Sequence, residues 1–402
     1  MILSSVWVEP NSSAAGTRML QIIKLFQDQD FEVHYASTAA TSPFAYNLDV
    51  LGVFSHTIAL NNSSFDVFIK DLNPHIVVFD RFMVEEQFGW RVLLQCPNAT
   101  RVLDTEDLHF LRLARQAAYK QNREFLFTDL YNEGAKREVA SILRCDLTLM
   151  ISEVEVDILI NQFNVPSSHL IYLPFLWEEQ PLPIKNFEER KDFVFIGNFI
   201  HEPNWATVQV LKEKVWPLLK KAVPEASLQV YGAYPTQKVE QLHKPSDRFY
   251  INGRADNAYA VIQDAKALLA PIPFGAGIKG KLYEAMLLGT PSVTSKVGAE
   301  AMAGELSWNG FITNDIEEFV KHATTLYNNP EIWQESQQNG YKIIEHRFKR
   351  QIFKPVFLNR IKDITHNLPT HRQSNFMGEI LNYHTFRSTE FMSRWIEEKN
   401  KK

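Results

Sequence analysis

The stretch Ala267-Leu-Leu-Ala-Pro-Ile-Pro-Phe-Gly-Ala-Gly-Ile-Lys-Gly-Lys-Leu-Tyr-Glu-Ala-Met-Leu-Leu-Gly289 leaves little freedom for the fold around it. Its apolar start reads as a buried strand that Pro271 and Pro273 limit. Gly275, Gly277 and Gly280 then permit a sharp turn and a close approach of backbone to a ligand. A helix follows with Leu282, Ala285 and Met286 on one stripe, and Gly289 with Pro291 ends it. Strand, glycine-rich turn and helix together form half of a parallel βαβ unit. Two lysines, Lys279 and Lys281, fall in or beside the first helical turn, where the macrodipole disfavours a cation by about 0.3–1 kcal/mol each. Backbone amides at the same place favour an anion. A bound phosphate explains both the turn and the misplaced charges; solvated lysines on an ordinary turn are the plainer alternative. Glu284, three residues after Lys281, reads as an acceptor for vicinal hydroxyls such as a ribose. Its alternative is an exposed ion pair with Lys281, worth about 0.2–0.5 kcal/mol.

The rest of the chain repeats this alternation. In residues 1–176, strand-like runs at Ile2–Val8, Phe31–Ala36, Val53–Leu60, His75–Asp80, Arg101–Asp104, Leu147–Ile151 and Leu170–Leu173 alternate with helical patterns. The helical ones are Arg18–Gln27, Ser64–Asp71, Met83–Gln95, a long segment from Phe110 to about Leu143, and Glu153–Phe163. Residues 177–192, rich in proline and charge, read as a linker. A second series over 193–345 has strands at Phe193–Gly197, Leu228–Tyr231, Phe249–Ile251, Leu268–Ala270 and Ser292–Thr294. Helices are expected at Asn204–Val223, Tyr259–Asp264 and Ile316–Asn328, and residues 346–402 are mostly helical. The basic end from Lys399 to Lys402 reads as a solvated tail. Such alternation implies α/β architecture: two Rossmann-like domains whose parallel sheets have right-handed crossovers, with ligands at the carboxyl ends of the strands.

Composition narrows the function. A chain of 402 residues exceeds the usual single core. Its net charge of −5 disfavours non-specific nucleic-acid binding. Cys96 and Cys145 form neither a disulfide framework nor a metal spacing, and read as buried small residues in a reducing compartment. The N-terminal residues lack the pattern of a signal peptide, and no apolar run is long enough to span a membrane. The expectation is a cytoplasmic protein without a transmembrane segment, with peripheral membrane contact left open.

From Phe193 to about Gly310, several motifs occur in a fixed order: Phe195-Ile-Gly-Asn198, Pro203-Asn-Trp205, Val230-Tyr-Gly232, Asn252-Gly-Arg254, Pro273 to Met286, Gly289 to Thr294 and Val297 to Met302. This order resembles the C-terminal domain of retaining GT-B glycosyltransferases, the group called family four. The resemblance implies a GT-B fold, with residues 346–402 crossing back onto an N-terminal acceptor domain. It also implies a nucleotide diphosphate sugar as donor substrate, a carbohydrate or other hydroxyl acceptor, and no cofactor or metal. Glu284 matches the family's ribose-binding glutamate. The donor site would use Gly197, Asn198, Gly232, Arg254, Gly275, Gly277, Ile278, Lys279, Lys281 and Glu284. Two departures stand out. The family's first motif glutamate falls at Ala276, which touches the donor-sugar contact. Its basic pair after the first strand is replaced by Asn198 and Trp205, a loss that Lys279 and Lys281 would make good.

In the first half, Leu103-Asp-Thr-Glu-Asp-Leu-His109 puts acidic residues just past a strand end, where chemistry on the acceptor would occur. Glu106, Asp107 and His109 are the catalytic candidates. The alternative reading makes Asp104 or Thr105 a helix N-cap, the other acids dipole partners and His109 a packing residue. Arg112 and Arg115 read as solvated helix residues, and Ser12 to Gly16 as a small-residue loop near the cleft. Rivals to transfer are a nucleotide-sugar epimerase or phosphorylase on this fold, and a non-catalytic nucleotide-sugar-binding subunit suggested by Ala276. A dinucleotide dehydrogenase is disfavoured, because no G-x-G-x-x-G follows the first strand.

Overall fold

Two parallel sheets account for the alternation. The computed structural model describes residues 1–179 and 184–400. Seven strands form the first sheet: β1 (Ile2–Ser4), β2 (His34–Ser37), β3 (Phe54–Thr57), β4 (Ile76–Asp80), β5 (Thr100–Asp104), β6 (Leu147–Met150) and β7 (Leu170–Tyr172). Six form the second: β8 (Phe193–Ile196), β9 (Leu228–Tyr231), β10 (Phe249–Gly253), β11 (Ala267–Ala270), β12 (Ser292–Thr294) and β13 (Gly310–Ile312). Their orders are β3-β2-β1-β4-β5-β6-β7 and β10-β9-β8-β11-β12-β13. Strands β4 and β5 are buried at every position and pair in register, Val78 opposite Val102. Helices cover both faces of such a sheet, so its strands need continuous apolar runs rather than alternation. Each sheet reverses its order beside its first strand, at β1/β4 and at β8/β11. A crevice opens outside the carboxyl ends at such a reversal, and here the two crevices face each other.

Local differences from the sequence reading have local causes. The strand expected from Phe31 begins at His34, after Asp30 has turned the chain at φ 57°. The long helical pattern after Phe110 divides into His109–Lys120, a short turn at Phe127–Leu130, and Glu133–Arg144. Asn132 starts the last of these by accepting from the Ala135 amide at 3.0 Å. The helix expected over 204–223 runs from Glu202 to Ala222 but widens into a π turn at Leu211–Val215. Pro217 lies just beyond; its missing N–H and its ring prevent a regular α-turn there.

The chain passes between the two sheets twice, and the passages lie side by side. The Trp177 amide donates to Phe348 O at 2.6 Å, and the Arg350 amide donates to Trp177 O at 2.9 Å. The expected linker over 177–192 includes residues 180–183, which lie outside the described residues, as do the last two residues of the basic end. Beyond Arg350 the chain returns to the first sheet, where Phe357, Ile361, Ile364 and Leu368 join its core. Arg372 donates to Asp146 at 2.8 Å and 2.9 Å, and the helix Phe376–Asn400 packs on Phe82–Gln95 and Glu133–Arg144. Among the described residues, no helix is long and apolar enough to cross a membrane. Cys96 and Cys145 are buried and free.

One buried ion pair ties the first helix of the chain to the end of β5. Arg18, on Ala14–Gln27, donates to Asp104 Oδ1 through Nε at 3.1 Å and Nη2 at 2.9 Å, and through Nη1 to Leu173 O. Both side chains are sealed from solvent. Removing one partner of such a pair strands the other charge, at a cost of about 3–5 kcal/mol. Urea denaturation of Arg18→Met should show a loss of that size, and the Arg18→Met/Asp104→Asn double variant should recover most of it.

Candidate functional site

The carboxyl end of β5 delivers the acidic loop. Asp104 is held by Arg18, and Thr105 Oγ1 donates to Leu149 O at 3.3 Å. Neither is therefore free to cap a helix, which corrects the capping alternative. The helix begins at His109, and its leading amides are met from other elements. Glu138 accepts from His109 N at 3.1 Å and Phe110 N at 3.0 Å, while Glu155 accepts from Leu108 N at 3.1 Å. With the helix capped from elsewhere, Glu106 and Asp107 both line the cleft, and Asp107 lies against Gly277 of the facing half. Glu106 sits at φ 62° and Arg81, just past β4, at φ 72°. Left-handed backbone in bulky residues costs on the order of 1–3 kcal/mol and gathers at functional sites.

These side chains occupy distinct electrostatic environments. Burial, reinforced by the charge of Asp104, raises Glu106 to about 8, so it keeps its proton at neutral pH. Burial would also raise Asp107, but Arg112, donating at 2.7 Å and 3.4 Å, and His109 at 3.4 Å pull it down to about 2. Burial lowers His109 to about 4 against the pull of Asp107. The loop thus offers a neutral carboxylic acid, a fixed carboxylate and a neutral imidazole whose ring meets the edge of Phe82 at 5.4 Å. Arg112 and Arg115 are not the solvated residues that helix position suggests. Arg115 crosses to the second sheet's half, donating to Gly275 O at 2.8 Å and to both oxygens of Glu300 at 2.8 Å.

The glycine-rich loop meets this surface directly. Gly277 has φ 64°, and a Cβ built there would lie 2.9 Å from Asp107 Cβ. Its amide donates at 2.8 Å to Glu155 Oε1, the same oxygen that takes Leu108 N. A Cβ on Gly280 would lie 2.2 Å from Ala14 Cβ. The helices Gly280–Leu287 and Ala14–Gln27 therefore point their N-termini at one another across the gap. Ala276 is buried against the core of the first sheet.

The two lysines part company. Lys279 folds back, donating to Gly277 O at 2.6 Å. Lys281 reaches β8, donating at 2.6 Å to Asn204 Oδ1 and standing 4.1 Å above the Phe195 ring. A Cβ on Gly197 would lie 2.7 Å from its ammonium, and one on Gly232 would lie 2.2 Å from Gly197 O. These two glycines clear the floor beneath Lys281. Burial pushes Lys281 down to about 7 and Glu284 up to about 7, each opposed by the other's charge. The exposed ion pair considered above does not form, since the lysine is engaged by Asn204. Asn198 turns inward to accept from Ile200 N at 2.9 Å.

The resulting cleft has a volume of about 680 Å³, with walls from both halves. It is lined by Glu106, Asp107, His109, Gly197, Asn198, Gly232, Gly275, Gly277, Ile278, Lys279, Lys281 and Glu284, and by the Ser12–Ala15 loop. Arg254 is the exception among the sequence candidates. Gly253, at φ 69°, ends β10, and Arg254 after it reaches across to the first half, where its guanidinium lies 4.2 Å over Phe44. Sequence reasoning missed Arg81, Asn204, Glu138 and Glu155. The last two lie on buried helix faces where a carboxylate needs a partner, a weak signal in one sequence. Among the described residues, no group of His, Cys, Asp or Glu side chains is arranged to hold a metal ion.

Comparison with known proteins settles the architecture. Residues 190–329 match the family model described as Glycosyl transferases group 1. Among solved structures, Anabaena HepE in complex with UDP and glucose superposes with a TM-score of 0.66 at 12% identity, over 90% of this chain and 99% of that one. Sucrose-phosphate synthase from Thermosynechococcus elongatus gives 0.63 at 14% identity, over 90% and 98%. The fold is GT-B. A TarM variant from S. aureus, in complex with fondaparinux, alpha-GlcNAc-glycerol and UDP, gives 0.58 at 15% identity over 73% of this chain. This GT-B chain spans 57% of the length of that one. A search of curated proteins returns no match. In GT-B terms, the family match covers the half that carries Gly197, Lys281 and Glu284, and the acidic loop lies outside it.

Glu155 is positioned to hold the two halves together. Glu155→Gln keeps an acceptor oxygen in place and should melt close to the wild type. Glu155→Ala strands two buried amides at about 1–3 kcal/mol each. Scanning calorimetry should show that gap between the variants; equal melting temperatures would mean the shared contact carries no stability.

Proposed function

We propose that this chain is a cytoplasmic glycosyltransferase that moves a sugar from a nucleoside diphosphate to a hydroxyl acceptor, with retention and without a metal. Lys281 and Glu284, three residues apart at one helix N-terminus and both poised near neutrality, carry the reading. Lys281 and the amides of the Gly280–Leu287 helix stabilise the leaving diphosphate, as cations and oriented dipoles do where negative charge develops. Glu284 accepts from the ribose hydroxyls. The family match over residues 190–329 and the UDP-bound neighbours of the same fold support this use of the second half. Lys279, turned onto its own loop, shapes the turn.

Ala276 cannot supply the carboxylate that the family places there. In our reading Glu106 replaces it from the other half. Its carbonyl oxygen lies 3.3 Å from where a Gly277 Cβ would stand, so its loop presses on the position in question. Protonated at neutral pH, Glu106 can donate to a sugar oxygen. Neutral His109, oriented by Asp107, accepts from the acceptor hydroxyl. A buried Ala276 is also the one observation that favours a non-catalytic nucleotide-sugar-binding protein, and turnover separates the two readings. His109→Ala and Glu106→Gln should each lower transfer by about 10²–10⁴-fold, the usual contribution of a positioned acid–base group. UDP affinity should stay nearly unchanged in both. Wild-type rates in both variants would move the chemistry elsewhere.

The donor half makes a prediction in pH. The diphosphate prefers charged Lys281, which loses its proton as pH rises through about 7. The ribose prefers ionised Glu284, which gains a proton as pH falls through about 7. UDP affinity should therefore peak near neutrality and fall on each side by up to about tenfold per pH unit, the slope of one linked proton. Lys281→Met should flatten the alkaline limb and Glu284→Gln the acid limb in calorimetric titrations. A profile level across neutrality would remove both assignments.

A further inference from the structure

Three apolar side chains are exposed where the cleft opens around the acidic loop. Val6 is 43% exposed, Met83 39% and Ile200 66%, and all three line the cleft. Val6 follows β1 and Met83 follows β4, which are neighbouring strands, so both emerge at the same reversal. The Val6 amide donates to Ser4 Oγ, which donates to Asp80, and this fixes Val6 beside the Asp80–Arg81 corner. Met83 adjoins Phe82, whose ring contacts His109. Ile200 comes from the facing half, next to His201, which lines the same cleft. The three therefore line the same cleft as Glu106 and His109, two of them from strand ends of the first half and one from across the gap.

Exposed apolar groups scattered over a surface need no explanation, but a cluster gathered around convergent polar groups in a cleft marks a ligand site. The donor's diphosphate and ribose do not account for it: they go to Lys281 and Glu284 on the second half, whereas Val6 and Met83 stand on the first, beside the acidic loop. Resting on the transfer reading above, we propose that the acceptor is amphiphilic. It presents a hydroxyl to Glu106 and His109 and lays an alkyl or aromatic body on Val6, Met83 and Ile200.

The test uses a homologous series with one polar head: alkyl glucosides from methyl to hexyl, titrated into the full chain in saturating UDP. Burying each added methylene should tighten binding by about fourfold, the equivalent of about 0.8 kcal/mol. Met83→Ser and Val6→Ser should flatten that slope while leaving methyl glucoside binding as in the wild type. Both residues are exposed, so the variants should melt with the wild type, which calorimetry checks. Affinity independent of chain length, absence of binding by every member, or an undiminished slope in both variants would each overturn the proposal. UDP titration of the wild type is read separately. Lost UDP binding beside a steep chain-length slope would fault the donor assignment and leave the apolar subsite standing; the converse would fault the subsite alone.

Discussion

One carboxylate oxygen, Glu155 Oε1, accepts an amide from each half of the molecule: Leu108 N from the acidic loop and Gly277 N from the glycine-rich loop. Because the two donors share one acceptor, displacing Glu155 would orphan a buried amide in each loop. Gly277 makes the sharing geometrically feasible, since any side chain there would strike Asp107. Arg115 adds a second tie from the same helix that carries His109, reaching Gly275 O and Glu300. The cleft is thus defined at one point and fans out from it, with the acidic loop on one wall and the N-terminus of Gly280–Leu287 on the other.

That geometry sets the electrostatics. Charges pressed together in a water-poor seam are pushed toward their neutral forms unless a partner holds them. Asp107 has Arg112 and stays ionised; Glu106 has the charge of Asp104 nearby and keeps its proton. Across the gap, Lys281 and Glu284 sit near neutrality for the same reason, so an incoming anion and its hydroxyls can complete what burial left unbalanced. In our proposal the seam is therefore primed at both ends: one pair awaits the nucleotide, and the other awaits the sugar and its acceptor.

Much of the fold was legible because period and punctuation survive in a single sequence. The strand–glycine–helix stretch at Ala267–Gly289 and the alternation around it specify two parallel sheets, while the GT-B arrangement of them was implied by the resemblance that the ordered motifs from Phe195 to Met302 carry. What faces what was less legible. The acids of Asp104–Asp107 carry the pattern of a helix start, yet the helix is capped from Glu138 and Glu155, far away in sequence. Arg115 occupies a position that looks solvated on an isolated helix, yet its guanidinium is engaged by Gly275 O and Glu300 of the second half. Arg254 belongs to a motif that implies a ligand, but its guanidinium lies over Phe44 of the first half. The first outcome is decided by contacts distant in sequence within one half and the other two by contacts between halves, and neither kind leaves a periodic trace.

Hydrogen exchange with and without UDP tests the central claim most directly, because it reads both walls of the cleft in one experiment. If the shared Glu155 contact makes the loops a unit and the nucleotide binds between them, UDP should slow exchange in 274–284 and in 104–109 together. Protection confined to other segments, or to residues 274–284 alone with the acidic loop unaffected, would contradict the account.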